Sequence, residues 1–453
     1  MDLQQAANVL SAELRVGSQA GDSRFEGVST DTRTLEPRQL FVALGGEHFD
    51  GHAFLPEAEN RGAAGALVQQ WVECGLTQLR CGDTQAAMGA LARDWRRRHD
   101  CRVIGITGSN GKTTVKTMLH GILERGATCL VTPGNYNNEI GLPLTLFKLS
   151  SEHQFAVIEM GAAAPGDIDY LARIAEPEVG IVNNAGPAHL EGMGSVAGVA
   201  RTKGELFAAL PDSGTAVINA DDDHCSLWRG LAGGSRILTF GLDNPADVSA
   251  RWHSTDDGME LELMTPAGGA TASLSCFGEH NVRNAVAAAA CAVALDRPLE
   301  EIVAGLKAFR PIAGRLLPRT MPGGWRLLED TYNANPASLS AGIRVLASMP
   351  GEKWLVLGDM KELGEDADAL HFQAGSEAHR MGVSRLFCLG PRSHHAALAF
   401  GDNAEHFDSA ETLAAALAGA IHPGVVCLIK GSRGMAMENV VAALESLLPG
   451  EDR

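Results

Sequence analysis

Apolar runs of strand length alternate with helix-spaced apolar positions over most of the chain. In its middle third, the pattern predicts strands at Phe155–Glu159, residues 179–183 and Thr215–Asn219, with helices between them. Alternation of this kind predicts a mostly parallel sheet covered by helices. Residues 248–276 instead carry short strands separated by glycine turns, which is typical of an antiparallel sheet. After residue 314 the alternation returns and predicts a second doubly wound unit.

The pattern divides the chain into three parts. At roughly 100–200 residues per domain, the chain has room for about three domains, given its 453 residues. We expect an α/β protein whose small N-terminal α/β domain spans residues 1–82. A central domain with a mostly parallel sheet would follow at residues 83–313. A Rossmann-like domain would end the chain at residues 314–453.

Composition and charge narrow the class of protein. Hydrophobic residues make up 45% and charged residues 20%, as in soluble globular proteins. The net charge of −18 argues against nucleic acid as a partner, because such binding depends on neutralising phosphates. Nine cysteines lie scattered without a CxxC pair, which suits a reducing compartment. The most apolar run, residues 285–295, is too short to span a bilayer. We expect a cytoplasmic protein that is not embedded in a membrane and acts as a monomer.

A glycine-rich turn at residues 105–114 stands between a predicted strand and a predicted helix. This context is typical of a phosphate-binding loop, in which backbone N–H groups and the helix N-terminus face the anion. Lys112 is placed to reach the terminal phosphates and Thr113 to offer a hydroxyl to Mg²⁺. Ile106 replaces the first glycine of the strict motif, so a glycine turn with an incidental lysine is the alternative. The predicted nucleotide-binding residues are Thr107, Gly108, Ser109, Asn110, Gly111, Lys112, Thr113 and Thr114.

Polar residues after the neighbouring strands extend this predicted site. Glu159 ends one strand and His189 follows the next, and ligands of parallel sheets collect at these strand ends. Lys203, on the following helix, is either a solvated surface residue or a buried amine with a lowered pKa. Asn281 and Asn284 share a helical face and could bind one heterocycle, although asparagine near a helix start is often a cap. The central domain is thus predicted to be of the P-loop ATPase type.

Three further segments are candidate binding loops. Residues 132–143 are rich in amides, glycine and proline after a predicted strand, and we expect a loop there. Near the N-terminus, residues 29–33 and 45–52 are polar or glycine-rich and lie beside predicted strands, where binding residues are often held. Taken alone, each of these two N-terminal segments fits an ordinary turn better than a ligand site.

Together these segments resemble the Mur ligases, the ATP-dependent amide-bond-forming enzymes of peptidoglycan precursor synthesis. The resemblance covers essentially the whole chain and rests on the phosphate loop, Glu159, His189, residues 203–205, residues 280–284, residues 314–315 and Asp330. Within the family, four motifs resemble the member that adds D-alanyl-D-alanine to UDP-N-acetylmuramoyl-tripeptide. They occupy residues 134–141, 332–338, 358–364 and 430–433.

The resemblance implies a role for each residue of the central site. Lys112 and its loop would hold the ATP phosphates, with Thr113, Glu159 and His189 near two Mg²⁺ ions. Lys203 would be carbamylated by CO₂ and would orient one of these ions. The reaction would pass through an acyl phosphate that the amine of the dipeptide attacks. The expected catalytic residues are Lys112, His189, Lys203 and Arg315.

The resemblance also implies which residues contact the rest of ATP and the organic substrates. Asn281 and Asn284 would face adenine, Arg315 the γ-phosphate and Asp330 the ribose. The residues implied for UDP-N-acetylmuramoyl-tripeptide are Ser29, Asp31, Arg33 and the segment 45–52, with Asn137 and Asn138 as further substrate residues in the 132–143 loop. Those implied for D-alanyl-D-alanine are Asn333, Asn335 and Ser338.

Two alternatives use the same phosphate loop. One is a relative that joins glutamate to a folate, but the sequence of residues 330–338 argues against it. The other is a non-catalytic nucleotide switch or scaffold, which has no need of two further domains with polar loops or of a lysine beside the metals.

Overall fold

The computed structural model describes residues 1–18, 23–46 and 49–448. Within residues 1–97 of this described part, a five-stranded sheet has the order β1-β7-β6-β3-β2, with β1 antiparallel and the other neighbours parallel. Leu40, Leu67 and Leu79 of this sheet are fully buried. The elements are α1 (Leu3–Leu10), β1 (Glu13–Arg15), β2 (Gly27–Ser29), β3 (Gln39–Val42), β4 (Gly45–Gly46), β5 (Phe49–Asp50), α2 (Leu55–Asn60), β6 (Gly65–Val68), β7 (Gln78–Arg80) and α3 (Thr84–Arg97).

The second sheet is parallel throughout and has β8 near its centre. Its order is β13-β12-β11-β8-β10-β9, so strands adjacent in space are not always consecutive in the chain. The strands are β8 (Arg102–Thr107), β9 (Cys129–Val131), β10 (Phe155–Glu159), β11 (Val179–Val182), β12 (Thr215–Asn219) and β13 (Arg236–Phe240). The helices are α4 (Lys112–Leu123), α5 (Gly141–Leu146), α6 (Asp167–Ala175), α7 (Leu190–Met193), α8 (Val196–Ala208) and α9 (Cys225–Leu231).

A three-stranded antiparallel sheet and two helices cover one face of this parallel sheet. The strands β14 (Ser249–Thr255), β15 (Gly258–Thr265) and β16 (Gly268–Leu274) pair in sequence order. They are followed by α10 (Glu279–Ala294) and α11 (Leu299–Ala308). The alanines of α10 are buried in the same apolar cluster as α4. A Cβ at Gly305 would lie 2.4 Å from the Ile122 Cα, so this glycine permits the close approach of α11 to α4.

The last sheet has the order β17-β18-β22-β19-β20-β21, parallel except for its edge strand β17. Its two faces are covered by separate apolar clusters. The strands are β17 (Leu317–Met321), β18 (Trp325–Asp330), β19 (Glu352–Gly358), β20 (Arg385–Leu389), β21 (Ala404–Phe407) and β22 (Val425–Lys430). The helices are α12 (Pro336–Ser348), α13 (Ala367–Arg380), α14 (His394–Phe400), α15 (Ala410–Ala420) and α16 (Glu438–Leu447).

The predicted α/β class with mostly parallel sheets is confirmed, and the structure differs from the sequence-based elements at a few places. Residues 141–143, predicted as part of a loop, begin α5, because the backbone turns into a helix after the Asn138 side chain accepts from Gly141 N–H at 2.9 Å. The edge strands β17 and β21 were not predicted. Both are only partly buried, so their apolar pattern is weak.

Two expectations from composition can be compared with the structure. All nine cysteines are free thiols, six of them buried. Burial raises the pKa of the Cys129 and Cys276 thiols to about 12, which leaves them protonated and unreactive. Among the described residues, no helix has the length and apolar character needed to cross a bilayer.

Candidate active site

A cleft of about 920 Å³ lies between the carboxyl ends of the central parallel sheet and the C-terminal sheet. Both groups of predicted residues, those after the central strands and those past residue 314, line this one cavity. The predicted residues in its wall are Ser109, Asn110, Gly111, Lys112, Thr113, Thr114, Asn137, Asn138, Glu159, His189, Asn281, Asn284, Arg315, Asp330, Asn333, Asn335 and Ser338. The remaining predicted residues, Thr107, Gly108, Lys203, Ser29, Asp31 and Arg33, are not in the wall.

The predicted phosphate loop connects the end of β8 to the start of α4. Gly111 is the N-cap of α4 with a φ of 81°. A Cβ on Gly111 would lie 2.2 Å from the Asn284 Oδ1 and 2.4 Å from the Asn183 Nδ2, so only glycine fits there. The loop is held from the β11 side, because Asn110 N–H donates to the Asn184 Oδ1 at 2.8 Å. The first turn of α4 therefore opens directly into the cleft.

Lys112 lies at the first position of α4, partly exposed to the cleft. Its Nζ donates to the carbonyl of Gly108 at 2.7 Å. Burial is the main cause that lowers the pKa of this ammonium, and the charges of Arg315 and Lys116 add to the effect while Glu159 opposes it. The amine thus lies folded over its own loop, at the position where a terminal phosphate would replace the carbonyl as its partner.

Glu159 ends β10 beneath the loop and is 3% exposed. Its Oε2 accepts from the Thr113 hydroxyl at 3.1 Å and pairs with the Lys116 Nζ at 2.9 Å. Its Oε1 accepts from the Asn137 Nδ2 at 2.8 Å. Burial acts to raise the pKa of this carboxyl, but Lys116 and Lys112 outweigh it and lower the pKa. Glu159 is consequently an ionised acceptor beside a hydroxyl.

The donor set fits magnesium held partly by a nucleotide. Among the described residues, no three His, Cys, Asp or Glu side chains are grouped so as to hold a metal ion alone. Mg²⁺ is commonly bound by one or two carboxylates together with substrate phosphates and waters, rather than by an all-protein cage. Glu159 and the Thr113 hydroxyl supply such a partial set of oxygen ligands next to the phosphate loop.

Lys203 is buried in α8 and is 1% exposed, so the solvated alternative is wrong. Burial, with a further contribution from the charge of Lys112, holds the pKa of its amine well below the usual value. Within the described residues, its Nζ makes no hydrogen bond or ion pair shown by the structure. A lowered pKa increases the fraction of neutral amine, and the neutral amine is the form that can act as a nucleophile.

His189 has a left-handed backbone with φ of 54° and points toward the C-terminal sheet. Its Nδ1 lies 2.6 Å from the Glu362 Oε2, so it pairs with a side chain and not with backbone. Burial is the main cause that lowers the pKa of His189. The charge of Glu362 raises this pKa, and the charges of Lys203 and Lys112 lower it further. His189, Lys203 and Lys112 are thus close enough to influence each other's charge.

Asn281 and Asn284 share one face of α10, as the spacing predicts, and both are buried. The Asn281 Nδ2 donates to the Phe277 carbonyl at 2.8 Å, and the Asn284 Oδ1 accepts from the Asn183 Nδ2 at 3.0 Å. Neither is the helix cap, because Gly278 occupies the N-cap position. Their contact with adenine stays a prediction. In this structure Asn284 joins α10 to the end of β11 through Asn183, and Asn281 bonds to the segment just before its own helix.

Residues past 314 enter the cleft from the C-terminal side. The Arg315 Nη2 donates to the Thr113 Oγ1 at 2.9 Å, and its guanidinium stacks 4.0 Å from the ring centroid of Tyr332. Asp330 pairs with the buried Lys430 Nζ at 2.6 Å. Arg315 is therefore fixed beside the phosphate loop, and Asp330 is held in place by a neighbouring cation.

The residues predicted for the dipeptide have structural partners. The Asn335 Oδ1 caps α12 by accepting from Ser338 N–H at 2.9 Å, while its Nδ2 donates to the Asn110 Oδ1 at 2.8 Å. The Asn333 carbonyl accepts from the Lys430 Nζ at 2.8 Å. Asn335 thus joins the start of α12 to the phosphate loop, a contact that the sequence did not indicate.

The N-terminal residues lie outside this cavity wall and are bonded among themselves. The Ser29 hydroxyl donates to the Asp31 carbonyl at 3.0 Å, and the Asp31 carboxylate accepts from the Arg33 Nη2 at 2.6 Å. Of the segment 45–52, residues 47 and 48 fall outside the described residues. Binding by these segments stays a prediction.

Lys116, which pairs with Glu159, is one of the residues around this site that the sequence analysis did not single out. It lies one helical turn after Lys112 and is 3% exposed. The only signal in the sequence was its i+4 spacing from the loop lysine. A lysine at this spacing is ordinarily solvated, so its burial beside Glu159 becomes apparent only from the tertiary structure.

Among the described residues, the two sides of the cleft are joined by the contacts of Arg315 with Thr113, Asn335 with Asn110 and His189 with Glu362. We expect hinge motion near residues 311–314, where Gly314 has a φ of 71°. Small-angle scattering should report a more compact chain when ATP and tripeptide are added than without them. Identical scattering curves in the two conditions would contradict this expectation.

Two parts of the chain match family models. Residues 106–292 match the Mur ligase middle domain, and residues 314–433 match the Mur ligase glutamate ligase domain. The chain is similar to UDP-N-acetylmuramoyl-tripeptide--D-alanyl-D-alanine ligase of Escherichia coli strain K12. It is 41% identical to that protein over 447 residues, covering 98% of each chain.

Solved structures show the same likeness. A crystal structure of MurF from Acinetobacter baumannii superimposes with a TM-score of 0.92, at 34% identity and with 98% of each chain covered. MurF ligase from Thermotoga maritima in complex with ADP gives a TM-score of 0.85 at 28% identity, covering 93% of this chain and 97% of that chain. The chain therefore belongs to the Mur ligase family. It is an ATP-dependent ligase that forms an amide bond.

Proposed function

We propose that the chain joins D-alanyl-D-alanine to UDP-N-acetylmuramoyl-tripeptide with ATP, giving the pentapeptide precursor of peptidoglycan. The observation that carries the proposal is a single cleft lined by Lys112, Glu159 and Arg315. The similarity to the Escherichia coli UDP-N-acetylmuramoyl-tripeptide--D-alanyl-D-alanine ligase, which covers 98% of the chain, supports it. ATP would phosphorylate the terminal carboxylate of the tripeptide. The dipeptide amine would attack this acyl phosphate, and phosphate would leave from the tetrahedral intermediate.

Lys112 and Arg315 would stabilise charge on the transferring phosphoryl group. Both are cations beside the helix N-terminus, and preorganised charges of this kind contribute most where charge develops in the transition state. Arg315 is already fixed, by the Thr113 hydroxyl and by the Tyr332 ring. Thr113, Glu159 and His189 would hold two Mg²⁺ ions, which would neutralise phosphate oxygens and orient the nucleotide.

The three parts of the chain would divide the work. Residues 1–82 would bind the UDP-muramoyl part, residues 83–313 would bind ATP, and residues 314–453 would bind the dipeptide. The chain would act as a monomer. The need for ATP and the nine free thiols support a cytoplasmic location.

We further propose that Lys203 carries a carbamate formed with CO₂. Its amine is buried and has a lowered pKa, which increases the fraction of the neutral form, the form that attacks CO₂. The resulting carboxylate would serve as an oxygen ligand for one magnesium ion. Electron density or ¹³C spectroscopy with labelled bicarbonate should show the adduct at Lys203. A bare amine, together with activity indifferent to removal of CO₂, would contradict the proposal.

Acceptor selection provides the direct test of the proposed reaction. A methyl group supplies only about 1–3 kcal/mol of discrimination, so chirality must be enforced by hydrogen bonds and by steric clashes. Purified enzyme with ATP and tripeptide should release phosphate rapidly with D-alanyl-D-alanine, and very slowly with L-alanyl-L-alanine even at high concentration. A folate as the carboxylate substrate, with glutamate as the acceptor, serves as the control for the folate-type alternative. Equal turnover of the D,D and L,L dipeptides would overturn the proposed acceptor, and ATP hydrolysis independent of both organic substrates would favour a nucleotide switch.

A further inference from the structure

Lys116 lies in the interior of the nucleotide-binding region, on the face of α4 turned toward β10. Its ammonium makes two contacts, an ion pair with the Glu159 Oε2 at 2.9 Å and a hydrogen bond to the Gly134 carbonyl at 3.0 Å. Gly134 belongs to the loop after β9 that also carries Asn137. One side chain thus connects the carboxylate below the phosphate loop with the neighbouring substrate loop.

The same carboxylate is held from its other side by this loop. The Glu159 Oε1 accepts from the Asn137 Nδ2 at 2.8 Å, and the Oε2 accepts from the Thr113 hydroxyl. Thr113 in turn accepts from Arg315. A continuous network therefore runs from the C-terminal side of the cleft through Glu159 to Lys116 and the loop at residues 132–140.

Stability alone does not explain a buried lysine here. Removing two charges from water costs several kcal/mol per ion, and replacing a buried ion pair by well-packed apolar residues is often neutral or stabilising. Val115, Met118 and Leu119 already pack the apolar faces of the same helix. The geometry of Lys116, with both contacts aimed at groups that line or border the cleft, indicates a role in positioning.

We propose that Lys116 is a positioning residue that holds Glu159 and the 132–140 loop in one arrangement. The carboxylate that would bind magnesium and the loop that bears Asn137 would then keep fixed positions relative to each other. This inference rests on the proposed role of Glu159 at magnesium. Lys116 is not in the wall of the cleft, so it would contact neither the nucleotide nor the substrate directly. It would act by fixing the orientation of the Glu159 carboxylate that would hold the ion, as hydrogen-bonded neighbours of metal ligands do in general.

The proposal predicts that Lys116→Met weakens the effect of Mg²⁺ on ADP binding and leaves Mg²⁺-independent ADP binding unchanged. Loss of such a neighbour typically reduces metal affinity about 10–100-fold. The affinity for ADP in the presence of EDTA should stay close to that of the wild type, because the phosphate loop is unchanged. The gain in ADP affinity caused by Mg²⁺ should fall by about 10–100-fold, and amide hydrogen exchange should rise in residues 132–140.

Calorimetric titration of the full chain with ADP, in EDTA and in saturating Mg²⁺, tests this. Lys116→Arg keeps a cation and should retain more of the Mg²⁺-dependent gain than Lys116→Met. Lys307→Met removes an exposed lysine from another helix and should leave the gain unchanged. If Lys116→Met does not fold, Lys116→Gln and Lys116→Arg are compared by the same quantity, the ADP affinity in Mg²⁺ divided by the ADP affinity in EDTA.

Two results would overturn the inference. One is an unchanged Mg²⁺-dependent gain in a folded Lys116→Met or Lys116→Gln variant. The other is an equal loss of ADP affinity with and without Mg²⁺, which would mean that Lys116 only supports the fold. Failure of the proposed function is distinguishable, because it would appear in the wild type as absence of ADP binding or of dipeptide ligation.

Discussion

Lys112→Ala should abolish turnover while the chain stays folded. Among the described residues, the Lys112 ammonium bonds to the Gly108 carbonyl of its own loop and to no other group, and it borders the cleft, so its removal takes little from the core. In the reaction the same ammonium would face the transferring phosphoryl group. Removing a key electrostatic group of this kind typically lowers kcat about 10²–10³-fold. The measurement is phosphate release with ATP, tripeptide and D-alanyl-D-alanine.

The control is Lys148→Ala, which removes an exposed lysine of the same part of the chain and should leave turnover at the wild-type level. Circular dichroism and thermal unfolding establish that both variants are folded. A well-folded Lys112→Ala enzyme with near-normal activity would show that residues 107–114 are not the phosphate site.

The framework of the site was predictable because it depends on local sequence. Strand Phe155–Glu159 and the strand leading to Thr107 are short apolar runs, and in parallel sheets their polar end residues must lie at a common edge. Glu159 and Lys112 were therefore expected to be neighbours before any coordinates. The glycines of the loop also predicted a phosphate site, because glycine permits the backbone conformations with positive φ that such a loop needs.

The partners of these residues were not predictable, because they come from distant segments. The pairing of Lys116 with Glu159 and of Asn335 with Asn110 joins residues 43 and 225 positions apart, and no periodicity encodes such contacts. Asn335, whose contact with the dipeptide stays a prediction, lines the cleft, and its side chain also caps α12 and bonds to the phosphate loop. Edge strand β17 was missed because only Met321 of its five residues is buried, which leaves little apolar pattern.

Lys430→Met should destabilise the C-terminal sheet by about 3–5 kcal/mol, the usual cost of leaving one partner of a buried ion pair uncompensated. Lys430 is 2% exposed, and its Nζ donates to the Asp330 Oδ2 at 2.6 Å and to the Asn333 carbonyl at 2.8 Å. Methionine would fill the space but would leave the Asp330 carboxylate and this carbonyl without their donor. Trp325 and Trp354 are buried in the same sheet, so urea unfolding of the full chain followed by tryptophan fluorescence includes this transition.

Two further variants separate the charge from the packing. Lys353→Met removes a lysine of the same sheet whose Nζ reaches only the Gly351 carbonyl at 2.9 Å, and it should change stability by no more than about 0.5 kcal/mol. The double variant Lys430→Met/Asp330→Asn removes both charges, and it should recover part of the loss because no unpaired carboxylate remains buried. Two results would show that the Lys430–Asp330 pair does not stabilise this edge of the cleft. One is that Lys430→Met unfolds at the same urea concentration as the wild type. The other is that adding Asp330→Asn to Lys430→Met lowers stability by as much as Asp330→Asn does in the wild type.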